Sequence, residues 1–527
     1  MKGKLSLYNN YFVNLIFPAL IFGSFTGILT SLFVTLFKLC AKYVILFSKS
    51  TYEFLGNHLY LIPVALFVAF GVAVVLALIC KKEPSLRGGG IPTSIEALRG
   101  LSSFKWLRDL IGAFFLPLVS FTFGVPLGTE GPSVLIGTAA GGGSVSLLAR
   151  KHTAWDKYAM TGGASAGFSV ATGSPISGIM FAIEEVHGRI SPMIIMVATI
   201  SVTFSRITSE LLDKITFLDI DISLFPDLPS VQSLMMKDIW IPILVATIVG
   251  ALAVAFLYYY RAVYTFFNKL LAKLPHSVRI FTVIALTIIL GVISFDFVST
   301  GHDLIENIFT SSTLTIGMLL LILFVRSTLT LSASSNNMNG GIFIPIMALG
   351  AVLSAIIAKI LISVGVDSSY YTVIIAIGIT ACISSMMKTP LTAIFFAIEA
   401  FDCAHNILFV ILASIISFII TEIFRAKSIN DNVLERRTQE KNNGAQVQKY
   451  DLYVTIKPGS FAIGKQIRDI FWPNTLKVLS VKRMETNNEV DRYGENDLRE
   501  GDILHIRFST TDIQRTNQDL YAIIGEQ

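Results

Sequence analysis

Three glycine-rich turns, each followed by a proline, are the segments of this sequence best suited to bind an anion. They are RGGGIP at 87–92, GTEGP at 128–132 and NGGIFIP at 339–345. Glycine lets backbone amides approach a ligand closely, and proline suits the first turn of a helix. A helix N-terminus presents unpaired N–H groups and a partial positive charge. We therefore expect helix N-termini to bind a small anion without a buried lysine or arginine, which would hold it too tightly for release.

Two of these turns occupy matching places in an internal repeat. The first copy is GTEGPSVLIG at 128–137 with SPISGIMFAIEEV at 174–186, and the second is GIFIPIMALG at 341–350 with TPLTAIFFAIEAF at 389–401. The copies are offset by 213 to 215 residues. Two similar halves with broken helices are typical of transporters whose site lies between the halves, near the middle of the membrane. Close helix packing through small residues is the alternative explanation for the glycines.

Glu130 lies inside the second turn, within an apolar segment. An ionisable side chain is costly there and is a candidate for function. Its counterpart in the other copy is Phe343, so this turn can be built without a carboxylate. We therefore expect Glu130 to be a functional residue. The alternative is a carboxylate that only satisfies a helix N-terminus.

The same comparison separates two neighbouring glutamates. Glu184 matches Glu399, which predicts a structural role that both copies share. Glu185 matches Ala400, so it has no counterpart and is the second functional candidate. The alternative for Glu185 is a solvated carboxylate at a helix end near the cytosol.

The composition places the elements that carry these residues in a membrane. Of the 527 residues, 53% are hydrophobic and 15% are charged, whereas a soluble domain has about 25% charged residues. The uncharged run at 60–80 can span a bilayer, which takes about 20 apolar residues. Several shorter runs predict helices that enter the bilayer without crossing it. The basic start MKGKLSLYNN has no cleavage site after its apolar run, so we expect no cleaved signal peptide.

The chain divides where its composition becomes polar, near residue 425. We predict an all-α polytopic membrane domain over 1–437, in which an inverted repeat with broken helices covers about 11–210 and 238–425. A linker is expected over 438–449.

Residues 450–527 predict a small α+β cytosolic domain. DLYVTI, LKVLSVKR and DILHIRF alternate like strands, and IGKQIRDIF has helical periodicity.

Nothing in the sequence predicts an enzyme, a cofactor, a metal site or a nucleic-acid partner. The formal net charge of +5 fits basic cytosolic loops. GASAG at 163–167 has the spacing of a hydrolase nucleophile turn but lies in a run of small residues inside an apolar helix. The histidines have no zinc-binding spacing. We expect unpaired thiols that pack as small apolar residues at Cys40, Cys80, Cys382 and Cys403.

The membrane part resembles the CLC family of chloride channels and proton–chloride exchangers over about residues 10–435. The family motifs GSGIP, G(K/R)EGP and GxFxP are similar to GGGIP at 88–92, GTEGP at 128–132 and GIFIP at 341–345. The resemblance implies a homodimer in a bacterial-type cell membrane, with one anion pathway and two antiparallel halves in each subunit.

The resemblance also implies residue roles. Glu130 would be the gating glutamate, which competes with anions when ionised and leaves when protonated, and Glu185 would be the internal proton-transfer glutamate. The residues that would line the anion path are Gly88, Gly89, Gly90, Ile91, Gly131, Ile342, Phe343 and Asn430.

This sequence departs from the family pattern at three positions. Gly89 stands where the family has the serine of GSGIP, and Asn430 aligns with the tyrosine of the last membrane helix. Two hydroxyl donors are then missing, each worth about 1.5–3 kcal/mol as a hydrogen bond to a charged group. We expect a weaker central site and looser coupling. Thr129 replaces the basic residue of the second motif. Fluoride exporters of the family have methionine where this chain has Gly89, so fluoride is only a minor alternative.

The C-terminal region, about 450–511, resembles the TrkA-C lobe of regulator-of-potassium-conductance (RCK) domains through YVTIKPGSFAIGKQIRDI and LREGDILHIRF. Such domains pair and often bind small regulatory ligands, and a purely structural role in dimerisation is the alternative.

The sequence thus predicts a proton-coupled chloride exchanger. A passive or weakly coupled anion channel is the main alternative. A sensor with a vestigial membrane part is the third.

Overall fold

The computed structural model describes most of the chain. The described ranges are 15–102, 104–149, 154–216, 224–225, 228–271, 273–310, 313–442, 448–473, 475–483, 489–490, 497–510 and 513–525.

The first half of the membrane domain is helical. Its helices are α1 (Phe17–Asn57), α2 (Ile62–Lys82), α3 (Gly90–Leu98), α4 (Trp106–Thr122), α5 (Glu130–Ala149), α6 (Trp155–Thr172), α7 (Pro175–Phe181) and α8 (Pro192–Thr216). Helix α7 continues as a π-helical turn, Ala182–His187, which carries Glu184 and Glu185.

The second half follows the same plan. Its helices are α9 (Trp240–Thr265), α10 (His276–Ile293), α11 (His302–Thr310), α12 (Ile316–Ser335), α13 (Phe343–Ser363), α14 (Tyr371–Met387), α15 (Pro390–Phe401), α16 (Ile407–Ile423) and α17 (Ile429–Asn442). Within the described residues, ten helices are long and apolar enough to cross a membrane. Helices suit this setting because they satisfy their own backbone polar groups.

Short helices interrupt both halves, as predicted. Helix α3 has nine residues, α7 has seven and α15 has twelve. Helices α7 and α15 each begin with a proline, whose missing N–H would have no partner there. The helices before them end at residues in the left-handed conformation, Gly173 and Lys388. These matching starts and stops come from the repeat.

The two halves meet through the backbone. Gly128 and Gly341, which are repeat-related, donate their N–H groups to each other's carbonyl oxygens at 2.6 Å. Within the first half, a Cβ atom added to Gly137 or Gly163 would lie 2.0 Å from the other's carbonyl oxygen. Glycine at both positions therefore lets α5 and α6 pack in backbone contact.

The C-terminal domain contains a four-stranded antiparallel sheet of order β1-β4-β2-β3. The elements are β1 (Gln448–Thr455), β2 (Lys477–Lys482), β3 (Glu489–Val490), β4 (Ile503–Thr510) and α18 (Ile513–Ile524). The three predicted strands are confirmed as β1, β2 and β4. Helix α18 was not predicted. Helix α17 runs to Asn442 and β1 begins at Gln448, so both elements extend into the 438–449 segment that the sequence assigns to a linker.

The prediction of a helix over IGKQIRDIF is wrong. This segment forms only a 3₁₀ turn, Ile467–Asp469. Gly464 has a φ of +73°, which a helix does not accommodate. The backbone carbonyl of Asp469 accepts a hydrogen bond from Tyr158 of the membrane domain instead of pairing within a helix.

Candidate anion and proton site

The three glycine-rich turns converge on one small cavity. Its volume of about 20 Å³ is enough for a particle the size of a water molecule. The lining includes the predicted residues Gly88, Gly89, Gly90, Ile91, Gly131, Ile342 and Asn430. The sequence did not assign the other lining residues, which are Pro92, Leu127, Ser334, Asn337, Met338, Gly340, Gly341, Val433, Arg436 and Arg437.

Close backbone contacts between the turns hold this arrangement. Helix α3 begins at Gly90, and a Cβ atom there would lie 1.9 Å from the carbonyl oxygen of Gly131. A Cβ atom on Gly131 would in turn lie 2.7 Å from the Cα atom of Gly341. Only glycine fits at such distances, so the N-termini of α3, α5 and α13 meet at the cavity. The N–H groups of the first turn of a helix have no partner within the helix, so they can donate to an anion.

Phe343 has its backbone at a predicted helix start and its side chain in the core. It is the first residue of α13, but it does not line the cavity. Its buried ring packs edge-on against Phe168 and Phe396, with centroids 5.1 and 5.3 Å away. Its side chain therefore serves the core at the position where the other copy has a carboxylate.

Glu130 is completely buried at the start of α5, next to the lining residue Gly131. Its Oε1 atom accepts a hydrogen bond from the hydroxyl of Thr129 at 2.8 Å. Its Oε2 atom has no hydrogen-bond partner among the described residues and lies against Gly128. A buried carboxylate with one unpaired oxygen is suited to exchange a proton or to move away.

Glu185 lies on the π-helical turn that continues α7. Its Oε1 atom accepts a hydrogen bond from Nδ2 of Asn430 at 2.7 Å. Asn430 is buried at the start of α17 and lines the cavity. The second candidate carboxylate is therefore one hydrogen bond from the cavity wall.

Glu184 takes the structural role that its repeat partner predicts. Its carboxylate accepts from the backbone N–H groups of Leu391 and Thr392 at 2.9 and 2.7 Å, at the start of α15. Its partner, Glu399, bonds the start of α7 in the same way. The comparison of the two copies therefore predicted the structural role of Glu184 correctly.

Two arginines of α17, both partly buried, also line the cavity, where no basic residue was predicted. Arg437 donates to the carbonyl oxygen of Arg87 at 2.6 Å and pairs with Glu96 at 3.3 Å. Arg436 donates to Oδ1 of Asn337 at 3.3 Å. The sequence signal was ERR at 435–437, which lies beside Asn430 on the same helix but falls at the polar end of the membrane domain. The carboxylate of Glu96 offsets part of the Arg437 charge, whereas the acceptors bonded to Arg436 are neutral.

The four cysteines are free, as predicted; Cys40 is partly buried, and the other three are buried.

Comparisons with known proteins agree with this fold. A curated relative, the H(+)/Cl(-) exchange transporter ClcA of Vibrio campbellii, is 24% identical over 436 residues, which cover 80% of this chain and 90% of that protein. The fold is similar to a slow cyanobacterial Cl⁻/H⁺ antiporter, with a TM-score of 0.71 at 21% identity over 80% of this chain and 99% of that one. A CLC-type fluoride/proton antiporter has a TM-score of 0.62 at 19% identity, over 77% of this chain and 95% of that one.

These structural likenesses show a shared fold. A family model described as voltage gated chloride channel matches residues 70–422, which is more than half of the chain. The matched region contains the matching motifs of both copies of the repeat and all three glycine-rich turns. This chain is therefore a multi-pass membrane protein and a member of the voltage gated chloride channel family.

Proposed function

We propose that this chain exchanges chloride for protons across a membrane. One observation carries the proposal: two carboxylates are each directly linked to a lining residue of the same small cavity, one through the chain and one through a hydrogen bond. Glu130 precedes the lining residue Gly131, and Glu185 bonds the lining residue Asn430. The curated relative's name, an H(+)/Cl(-) exchange transporter, supports the same function.

In this proposal the backbone amides at the starts of α3, α5 and α13 bind chloride. The ionised carboxylate of Glu130 competes with chloride because it is itself an anion beside the same helix N-termini. Protonation removes that competition, so the neutral side chain leaves and carries the proton. Glu185 supplies or receives the proton at the other end of the path, where its carboxylate bonds Asn430.

The test is ion flux from liposomes loaded with chloride, with external pH recorded at the same time. Chloride efflux should drive proton uptake against a proton gradient. Glu130→Gln should abolish proton movement, and Glu185→Gln should abolish proton movement while chloride still flows. Glu210→Gln is the matched control, because Glu210 lies on the exposed side of α8 and pairs with Arg206.

A passive anion channel is the second candidate. The observation in its favour is that neither Gly89 nor Asn430 has a side-chain hydroxyl where they line the cavity. Chloride flux without uphill proton movement in the wild type would support the channel and contradict exchange. Replacing chloride with fluoride in the same assay tests whether another small halide is preferred.

We infer that the transporter is a homodimer in a bacterial-type cell membrane, with its C-terminal domain in the cytosol. Membership of the family supports the dimer, and the basic residues near α17 support the orientation. Chemical cross-linking of membranes and protease accessibility of the C-terminal domain in oriented vesicles test the two statements separately.

We also propose that the C-terminal domain, which resembles a TrkA-C lobe, regulates transport by holding the segment that carries Glu185. The ring of Phe471 lies 4.2 Å from that of Tyr158 on α6 and stacks on the His187 imidazole at 4.7 Å. The guanidinium of Arg189 lies 5.0 Å from the centre of the same ring. His187 and Arg189 are two and four residues after Glu185.

Polar contacts strengthen this docking. The carbonyl oxygen of Asp469 accepts from Tyr158 at 2.5 Å, and its carboxylate accepts from Ser191 at 3.1 Å. Lys157 pairs with Asp519 of α18 at 3.2 Å. A ligand or partner that displaces the C-terminal domain would therefore release the π-helical turn and change the position of Glu185. Two candidates could displace the C-terminal domain in this way. One is a small molecule that the domain binds, and the other is the C-terminal domain of a second copy of the chain.

A further inference from the structure

The side-chain amide of Asn430 joins the cavity to the carboxylate of Glu185. Its Nδ2 atom donates to Glu185 Oε1 at 2.7 Å. Its Oδ1 atom is buried without a hydrogen-bond partner, on a residue that is 1% exposed and lines the cavity. A buried hydrogen-bond acceptor without a partner is energetically unfavourable, so the unpartnered Oδ1 atom needs an explanation.

The chemistry of the two groups supplies that reason. An ionised carboxylate can only accept hydrogen bonds, so Nδ2 must face Glu185. The amide oxygen is then turned away from Glu185, and its partial negative charge, on a residue that lines the cavity, opposes an anion there. A protonated carboxyl group can instead donate its O–H to Oδ1. The amide then turns over, and Nδ2 is free to donate to chloride in the cavity.

We propose that Asn430 is a two-position amide that makes proton binding at Glu185 and chloride binding in the cavity favour each other. The proposal rests on the proposed exchange and names the residue that links the two ions at this end of the path. Asn430 would both touch the anion and position the proton carrier. By thermodynamic linkage, a proton on Glu185 must strengthen chloride binding by the same factor as chloride strengthens proton binding.

Other charges near Glu185 have to be separated from this effect. The groups that act on its carboxylate are Asp431 on α17, Arg99 after α3 and Glu184 on the same turn. Glu184 is held by the start of α15, and the nearby His187 is bonded to Thr161 at 2.9 Å and stacked on Phe471.

Two further groups belong to the cavity. Arg436 and Arg437 line it. Glu130 can itself titrate and compete with chloride. The experiment therefore removes the Glu130 charge first.

The experiment measures chloride affinity of the purified full-length Glu130→Gln protein by isothermal titration calorimetry. We expect chloride to bind roughly tenfold more tightly at about pH 5 than at about pH 8, within the usual range of coupling between two sites. Adding Asn430→Leu, which keeps the volume but removes the amide, should abolish this pH dependence. Adding Asp431→Asn, which removes the neighbouring charge but leaves the amide, should preserve it.

A second variant does not disturb the amide at all. Glu185→Gln presents a neutral side chain that can donate an N–H to Oδ1 of Asn430, as the protonated glutamate would. In the Glu130→Gln background its chloride affinity should not change between about pH 5 and about pH 8, because no proton binds at position 185. A pH dependence as large as that of Glu130→Gln alone would overturn the switch.

A pH-independent affinity in Glu130→Gln, or a pH dependence that survives Asn430→Leu, would also overturn it. Uphill proton transport by the wild type would still stand in each of these cases, so failure of the switch is distinct from failure of exchange.

Discussion

Glu184 and Glu399 bind the first turns of each other's repeat. Glu184 accepts the N–H groups of Leu391 and Thr392, and Glu399 accepts those of Ile176 and Ser177 at 2.8 and 2.9 Å. The exchange is reciprocal, as an approximate two-fold axis between the halves requires. A carboxylate near a helix N-terminus is stabilised by the unpaired N–H groups and by the helix dipole.

The first prediction concerns these two caps. Glu184→Ala and Glu399→Ala should each destabilise the protein by about 1–3 kcal/mol, because each leaves two backbone donors without their acceptor in a partly buried place. Thermal unfolding in detergent measures the change. Glu210→Ala, on the exposed side of α8, should have little effect. Glu184 also accepts from the Thr392 hydroxyl at 2.7 Å, so its variant should be the less stable of the two. An unfolding temperature of either cap variant equal to that of the wild type would contradict the capping role.

The second prediction concerns the hold on Glu130. Thr129→Val removes the hydroxyl that donates to Oε1 and should free the side chain to leave its place. One such hydrogen bond is worth enough to speed chloride efflux by about three- to tenfold if departure of Glu130 limits the rate. Thr138→Val is the matched control, since that buried hydroxyl lies within α5 and donates to the carbonyl of Val134 rather than to a carboxylate. Equal rates for Thr129→Val and the wild type would show that Thr129 does not restrain the gate.

The third prediction concerns the docked C-terminal domain. Phe471→Ala removes the ring between Tyr158 and His187 and should lower the number of protons moved per chloride, because the Glu185 segment loses its support. The liposome assay with simultaneous pH recording measures this ratio. Tyr453→Ala changes an exposed ring on β1 of the same domain and should leave the ratio unchanged. An unchanged ratio in Phe471→Ala would limit the domain to a structural role.

The fourth prediction concerns pH and the C-terminal domain. Burial lowers the pKa of Lys465 from 10.5 to about 8, although its Nζ atom donates to the carbonyl of Phe461 at 2.5 Å. The unfolded chain therefore binds more protons than the folded one between these values, so stability should rise as the pH rises from about 8 towards 10.5. A pKa change of this size corresponds to roughly 3 kcal/mol.

Lys465→Met should remove most of this dependence. Limited proteolysis of the full chain measures it, as the ratio of cleavage rates between variant and wild type at each pH. Lys477→Met, at an exposed position on β2, is the control and should keep the wild-type dependence. A wild-type domain whose resistance to proteolysis falls across this range would contradict the sign.

The repeat made much of the membrane domain predictable. Matching prolines and glycines located the broken helices. The match between Glu184 and Glu399 distinguished a structural residue present in both halves from Glu185, which has no counterpart in the second half. Periodicity failed at 463–471, because the carbonyl of Asp469 bonds Tyr158 some 311 residues away in sequence. A pattern confined to one segment contains no information about such a distant partner.

The cavity was predicted only in part for a related reason. Glycine-rich turns can be recognised from composition alone, whereas Arg436 and Arg437 resemble ordinary basic residues at the end of a membrane domain. Their place on the cavity wall depends on how α17 packs beside α3, where Arg437 bonds Thr93 and Glu96. Phe343 shows the reverse: its backbone begins the expected helix, but its ring turns into the core.

The bridge between Gly128 and Gly341 uses main-chain atoms alone. Side chains near this junction can therefore differ between the halves without weakening the contact that joins them. Two residues beyond each glycine, one half has a glutamate and the other a phenylalanine. The same backbone junction thus accommodates a buried carboxylate in one half and an aromatic ring packed in the core in the other.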